Sequence, residues 1–67
     1  MPAIRRIKSG KDNADSGEIK CTQQEALDEY ALRKKQGFKD LGKAKTGATL
    51  LSRDDGDILY IIYIYKD

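Results

Sequence analysis

The segment Ile58–Tyr65, which reads ILYIIYIY, constrains the fold more than any other part of this sequence. It consists of β-branched, aromatic and leucine residues and is shorter than a typical helix, so it predicts a β-strand. Successive side chains of a strand point to opposite faces. One face therefore carries Ile58, Tyr60, Ile62 and Ile64, and the other carries Leu59, Ile61, Tyr63 and Tyr65. A strand that is apolar on both faces belongs in the centre of a sheet.

One helix is predicted over residues 23–36. Thr22 and Glu25 have the spacing of a capping box at its start, and Gly37 followed by Phe38 is typical of a Schellman ending. Glu29 and Arg33 form an i,i+4 pair in the favourable order. The apolar stripe expected to face the sheet consists of Ala26, Leu27, Tyr30 and Ala31.

Three more strands are expected, at residues 3–8, 18–21 and 48–52, the second with Ile19 and Cys21 facing inward. The charge on residues 3–8 is typical of an edge strand. Residues 9–17 are rich in turn formers and predict a mobile connection or a wide hairpin, and Asp-Gly within residues 54–57 predicts a tight turn. Residues 39–46 are interpreted as a basic connector whose Leu41 tucks under the helix end.

These elements predict a single α+β domain over residues 1–67, with about four strands in β-β-α-β-β order forming an antiparallel sheet on one helix. One helix covers only one face of a sheet. The isoleucine face of the last strand is the better candidate for the core. The face with Leu59, Ile61, Tyr63 and Tyr65 is the better candidate for contact with a partner protein or with a second copy in a homodimer, because tyrosine is enriched at interfaces.

Charge is distributed unevenly along the chain. Thirteen Lys and Arg residues against eleven Asp and Glu residues give a net charge of +2, yet residues 33–53 hold seven bases and one acid. A basic patch is therefore expected from Arg33, Lys34, Lys35, Lys39, Lys43 and Lys45, with Arg5 and Arg6 extending it. Such a patch steers a protein partner or contacts phosphates, so a nucleic-acid-binding module is the alternative to a protein-binding function.

The sequence argues against an enzyme. It contains no histidine, the commonest general base, and Cys21 is interpreted as a small buried apolar residue. We read the acidic run at residues 54–57 as a turn rather than a metal site, and residues 42–47 lack the Lys-Ser/Thr pair of a phosphate-binding loop. No catalytic residue, metal or cofactor is expected.

The location expected from the sequence is the cytoplasm. A lone cysteine fits a reducing intracellular setting, no signal peptide is recognised, and no apolar run approaches the ~20 residues that span a bilayer. In its length, element order and charge the chain resembles small phage and mobile-element proteins, including some anti-CRISPR proteins. The resemblance lies in layout alone; it implies a binding protein that occludes a host complex and identifies no site residue.

Overall fold

A computed structural model describes residues 1–66 of the chain. Five strands form one antiparallel sheet in the order β2-β1-β5-β4-β3, and one helix lies between β2 and β3 in the chain. The elements are β1 (Ala3–Gly10), β2 (Ala14–Lys20), α1 (Gln23–Lys35), β3 (Lys39–Lys43), β4 (Thr49–Asp54) and β5 (Ile58–Tyr65). The predicted α+β class is confirmed, and so is the central position of the last strand.

The sheet has one strand more than the sequence predicted. Residues 39–46 are not a simple connector, because Lys39–Lys43 pairs with β4 and forms the edge strand β3. Leu41 does not tuck under the helix; it remains 58% exposed. The expectation that the first strand is an edge was also wrong. β1 lies between β2 and β5, and the edges of the sheet are β2 and β3.

Residues 9–17 were predicted as a mobile connection or a wide hairpin, and the structure shows a hairpin whose two strands extend into this segment. β1 continues to Gly10 and β2 begins at Ala14, which leaves a loop of residues 11–13. Asn13 Oδ1 accepts a hydrogen bond of 2.8 Å from the Gly10 N–H and closes this loop. Gly10 has a φ of +137°, and a Cβ there would overlap the carbonyl oxygen of Asp57. The close approach of β1 to the start of β5 therefore requires glycine.

Both ends of α1 are encoded locally and confirm the prediction. The Thr22 hydroxyl accepts from the Glu25 N–H at 3.1 Å, and the Glu25 carboxylate accepts from the Thr22 N–H at 2.9 Å. At the other end Gly37 adopts a φ of +92°, and the Phe38 N–H donates to the Arg33 carbonyl at 3.0 Å. This is the Schellman arrangement, and it places Phe38 in the core.

The core lies between α1 and one face of the sheet. The predicted isoleucine face of β5 is confirmed as the buried one, and the core consists of Ile4, Ala26, Phe38, Leu51, Ile62 and Ile64. The predicted helix stripe is only partly correct, because Leu27 is 44% exposed and Ala31 is exposed, whereas Glu29 is buried. The buried side of the helix therefore includes Glu29, which is paired with Arg6 and Arg33, in place of Leu27 and Ala31. Ile19, expected to face inward, is also exposed.

Candidate functional site

The helix leaves one face of the sheet open. Residues directly opposite each other on paired strands share a face, so β-pairing defines the members of this open face. Tyr63 pairs with Arg5 and Leu50, and Ile61 pairs with Ile7. These apolar residues are half-buried, and Leu59 is 38% exposed. We define the open face by its apolar strip: Ile7, Leu50, Leu59, Ile61, Tyr63 and Tyr65.

This strip contains all four residues that the sequence predicted as contacts on β5. Leu59, Ile61, Tyr63 and Tyr65 share the open face, while α1 packs against the opposite one. Ile7 of β1 and Leu50 of β4 were not singled out, although their strands flank β5. Their contribution depends on strand order and register, which alternation within one segment does not reveal.

Arg5 occupies one side of the open face and is already engaged there. Its guanidinium lies 5.8 Å from the centre of the Tyr63 ring and donates from Nε to Asp15 at 3.1 Å. The hydrogen bonds from Arg5 and from the Gly17 N–H lower the pKa of Asp15 to about 2. The Arg5 charge is thus balanced by Asp15, and Tyr63 is held between strand neighbours and a cation.

Among residues 1–66, the bases and the acids on the open face are equal in number. Pairing places three bases on it, and it places three acids there as well. The bases are Arg5, Lys20 and Lys39, and the acids are Asp15, Glu18 and Asp54. An apolar centre within a balanced polar rim is the anatomy of a protein-binding surface. A surface that binds phosphates would carry an excess of bases.

The residues predicted to form the basic patch do not lie on one surface. Arg5 is on the open face, whereas Arg6 and Arg33 are on the helix side, where both bind Glu29. Lys34 and Lys35 lie at the end of α1, and Lys39 begins β3 just after it. Lys43 and Lys45 lie at and beyond the other end of β3. Strand β3 therefore separates the lysines near the end of α1 from Lys43 and Lys45. The connector predicted for residues 39–46 would have brought the two groups together.

Glu29 is the main polar residue that the sequence interpretation missed. It is 8% exposed and accepts hydrogen bonds from Arg33 Nε at 2.8 Å and from Arg6 Nε at 3.2 Å. Burial raises the pKa of Glu29, but the two guanidinium groups outweigh this and leave the pKa below its ordinary value. The i,i+4 pair with Arg33 was predicted. The pair with Arg6 of β1 was not, because Arg6 is 23 positions away from Glu29 in the sequence.

A second polar contact joins the helix to the sheet edge. The Tyr30 hydroxyl donates to Asp40 Oδ2 at 2.7 Å, and Lys66 Nζ lies 4.9 Å from the centre of the Tyr30 ring. The hydrogen bond to Asp40 raises the pKa of Tyr30 and lowers that of Asp40. These contacts fasten α1 over β3 and account for Tyr30 structurally.

The other motifs have structural roles in the fold. Asp54 accepts from the Gly56 N–H at 2.9 Å and Asp55 binds Arg53 at 3.0 Å, as befits a hairpin turn. Cys21 is half-buried against the core. Among residues 1–66 no three His, Cys, Asp or Glu residues lie together as metal ligands would.

The comparisons with family models, curated proteins and solved structures found no match. Function is therefore inferred from the open face and from the charges around it. Within the described part of the chain, no helix is both long enough and apolar enough to cross a lipid bilayer.

Proposed function

We propose that this chain is a small non-enzymatic binding protein whose open face covers part of a partner protein. The observation that carries the proposal is the apolar strip on the side of the sheet away from α1, where Leu59 is 38% exposed and Ile61, Tyr63 and Tyr65 are half-buried. Contiguous apolar surface rimmed by polar residues marks interaction sites in soluble proteins. Tyrosine supplies large contact area while tolerating water at its hydroxyl.

The chemistry of the open face favours a partner surface that is apolar at its centre and weakly charged around it. The three bases and three acids of the face balance, and Arg5 is neutralised by Asp15. Tyr63 and Leu59 then act as anchors for apolar pockets of the partner. Lysines outside the face, namely Lys34 and Lys35 at the helix end and Lys43 on β3, assist long-range encounter with an acidic partner rather than contact at the centre.

The mode of action that we propose is occlusion. The open face is formed by the strands of one five-stranded sheet, and such a face acts by covering what it binds. This agrees with the resemblance in layout to small phage and mobile-element proteins, including anti-CRISPR proteins, and with an intracellular setting. The protein is accordingly proposed to be an accessory or inhibitor of a host complex.

The decisive experiment compares substitutions on the two sides of the molecule. Tagged wild-type protein, Tyr63→Glu and the helix control Leu32→Glu are used to capture partners from the native host at moderate salt. Leu32 is an exposed leucine on α1, so its substitution introduces the same charge away from the open face. The proposal expects one defined partner to be retained by wild type and Leu32→Glu and weakened at least about tenfold by Tyr63→Glu.

Two further measurements keep this test decisive. Circular dichroism establishes that each variant is folded, and Leu59→Glu replaces Tyr63→Glu if the latter unfolds, since Leu59 is the more exposed of the two. Light scattering reports whether wild type is a dimer that the substitution converts to a monomer, which would assign the face to a second copy. Retention of the partner by both open-face variants would refute the proposal.

A second candidate function is nucleic-acid binding through residues 33–45. It is favoured by one observation: all four ion pairs among residues 1–66 use arginine, so Lys34, Lys35, Lys39, Lys43 and Lys45 keep their charges for other contacts. The test is fluorescence anisotropy with a random DNA duplex at ~50 mM salt, where phosphate contacts are strongest. Binding that falls steeply with salt and weakens in a Lys34→Glu/Lys35→Glu variant would support it, and absence of binding would refute it.

A further inference from the structure

A cavity of about 380 Å³ lies mainly on the helix side of the sheet, and Ile7 and Asp15 line it from the edge of the open face. It is bounded by the hairpin end of β1 and β2 and by the last turns of α1. Its polar lining includes Arg6, Lys8 and Arg33, and its apolar lining includes Tyr60 and Ile62. The volume is within the range of small-molecule sites, roughly 300–1,000 Å³. We call it the arginine cavity.

The two guanidinium groups of the arginine cavity are held in place by Glu29. Arg6 donates to the Glu29 carboxylate from Nε and Nη2, and Arg33 donates from Nε to Glu29 and from Nη1 to Gln36. A guanidinium has five N–H donors. Within residues 1–66 these bonds leave Nη1 of Arg6 and Nη2 of Arg33 as donors for another acceptor.

The cavity also has an excess of positive charge. Arg6, Arg33 and Lys8 line the cavity, and Glu29 is bonded to both arginines. The lining residue Asp15 is paired with Arg5, so four bases and two acids leave a local charge of +2. An anion is therefore the ligand that the polar side of the cavity accepts, and arginine matches the planar geometry of a carboxylate.

The other side of the cavity is apolar. Ile62 is buried beneath it, and the half-buried Tyr60 ring is braced by Phe38, with ring centres 6.4 Å apart. A simple inorganic anion would leave this surface uncovered. An anion with an aromatic or aliphatic body would cover it and gain from removing apolar area from water.

We propose that the arginine cavity binds an organic anion, with a carboxylate at Arg6 and Arg33 and an apolar body against Tyr60 and Ile62. Lys8 adds attraction from the rim. The groups proposed to hold the anion lie on the helix side, whereas the proposed anchors Tyr63 and Leu59 lie on the open face, so either proposal can fail without the other. The carboxylate belongs either to a free small molecule or to the C-terminus of a peptide chain, and the probes below distinguish these sources.

The test is an NMR titration of ¹⁵N-labelled protein that follows the Arg6 and Arg33 Nε–H signals and the backbone signals of Lys8 and Tyr60. The probes are sodium benzoate, sodium acetate and neutral benzamide. The proposal expects saturable shifts with benzoate, at an affinity at least about tenfold above that of acetate or benzamide. Acetate has the carboxylate without the apolar body, and benzamide has the apolar body without the carboxylate. Equal affinity for acetate and benzoate, or equal shifts at Lys35, would overturn it.

A pair of lysine variants controls for nonspecific charge. Lys8 lines the cavity without taking part in the Glu29 bonds, and Lys35 is exposed at the end of α1. Lys8→Ala is expected to weaken benzoate binding by about threefold, the effect of one partly solvated charge, and Lys35→Ala is expected to leave it unchanged. An equal effect of the two substitutions would overturn the proposal.

A peptide identifies the source of the carboxylate. N-acetyl-Gly-Gly-Phe is titrated with its C-terminus free and with its C-terminus amidated. Tighter binding of the free peptide than of benzoate would assign the cavity to a chain terminus, and binding of benzoate alone would assign it to a small molecule. Absence of saturable binding by both benzoate and the free peptide would refute the site.

Discussion

Arg6 on β1 and Glu29 on α1 are joined by two hydrogen bonds of 3.2 and 3.3 Å, although 23 positions separate them in the sequence. Arg33 binds the same carboxylate from the helix side. The bonds tie α1 to β1 and hold the Glu29 side of the helix toward the sheet. Leu27 is turned toward solvent as a consequence.

Glu29→Gln is expected to destabilise the protein. The substitution removes the charge that both guanidinium groups share, and the cost is about 1–3 kcal/mol because Glu29 is buried while the arginines remain partly solvated. Urea denaturation measures the change. The matched control is Asp28→Asn, at an exposed neighbouring position, with a change below about 0.5 kcal/mol. Equal changes in the two variants would contradict the buried role of Glu29.

Arg5→Gln is expected to raise the pKa of Asp15 from about 2 toward its ordinary value of 3.8. The folded protein holds this pKa down, so the Arg5–Asp15 pair stabilises the fold above pH 3.8, and this contribution is lost as the pH falls toward 2. Carbon-detected NMR of the carboxyl group measures the titration. Arg53→Gln, which removes the separate pair with Asp55, should leave Asp15 unchanged. An Asp15 titration that is identical in Arg5→Gln and wild type would show that the pair does not form in solution.

Gly10→Ala is expected to cost at least about 2 kcal/mol. The added methyl group meets the Asp57 carbonyl, and the φ of +137° is strained for any other residue. Gly17→Ala serves as the comparison, because its φ of +69° is also positive but no atom lies within 4 Å of the added Cβ. That variant should lose only about 1 kcal/mol. Thermal or urea unfolding that ranked the two in the reverse order would argue against the tight approach of β1 to β5.

Leu51→Ala and Leu41→Ala test the division between core and edge. Leu51 is fully buried, and its truncation should cost about 2–5 kcal/mol. Leu41 on β3 is 58% exposed, so the same change should fall within about 0.5 kcal/mol of wild type. A large loss for Leu41→Ala in urea unfolding would restore the interpretation in which this leucine packs under the helix.

The parts of the fold that the sequence predicts well are those with local causes. Thr22 with Glu25 and Gly37 with Phe38 define the helix ends within a few residues, and alternation in β5 identifies both of its faces. β3 escaped prediction because Lys39–Lys43 has no apolar alternation and becomes a strand by pairing with β4. The burial of Glu29 was also not predicted, because it depends on a non-local contact with Arg6, which is distant in the chain.

In the candidate site, too, the features with local causes were predicted and those that depend on distant contacts were not. The four predicted contact residues on β5 follow from one segment, so the alternation of that segment alone assigns them to a common face. The arrangement of the lysines depends on the direction of β3, and the sequence carried no sign that Lys39 and Lys43 lie at opposite ends of a strand. Sequence patterning thus identified the face and missed the distribution of charge around it.

The central position of β5 also has a consequence for protein synthesis. On the ribosome, the β1–β2 and β3–β4 ribbons emerge before the strand that joins them, and two-stranded ribbons are marginal by themselves. Because β5 pairs with both β1 and β4, the five-stranded sheet cannot form until β5 has been synthesised. The most apolar strand is the last of the sheet to be made, so both of its partners, β1 and β4, are already present when it emerges.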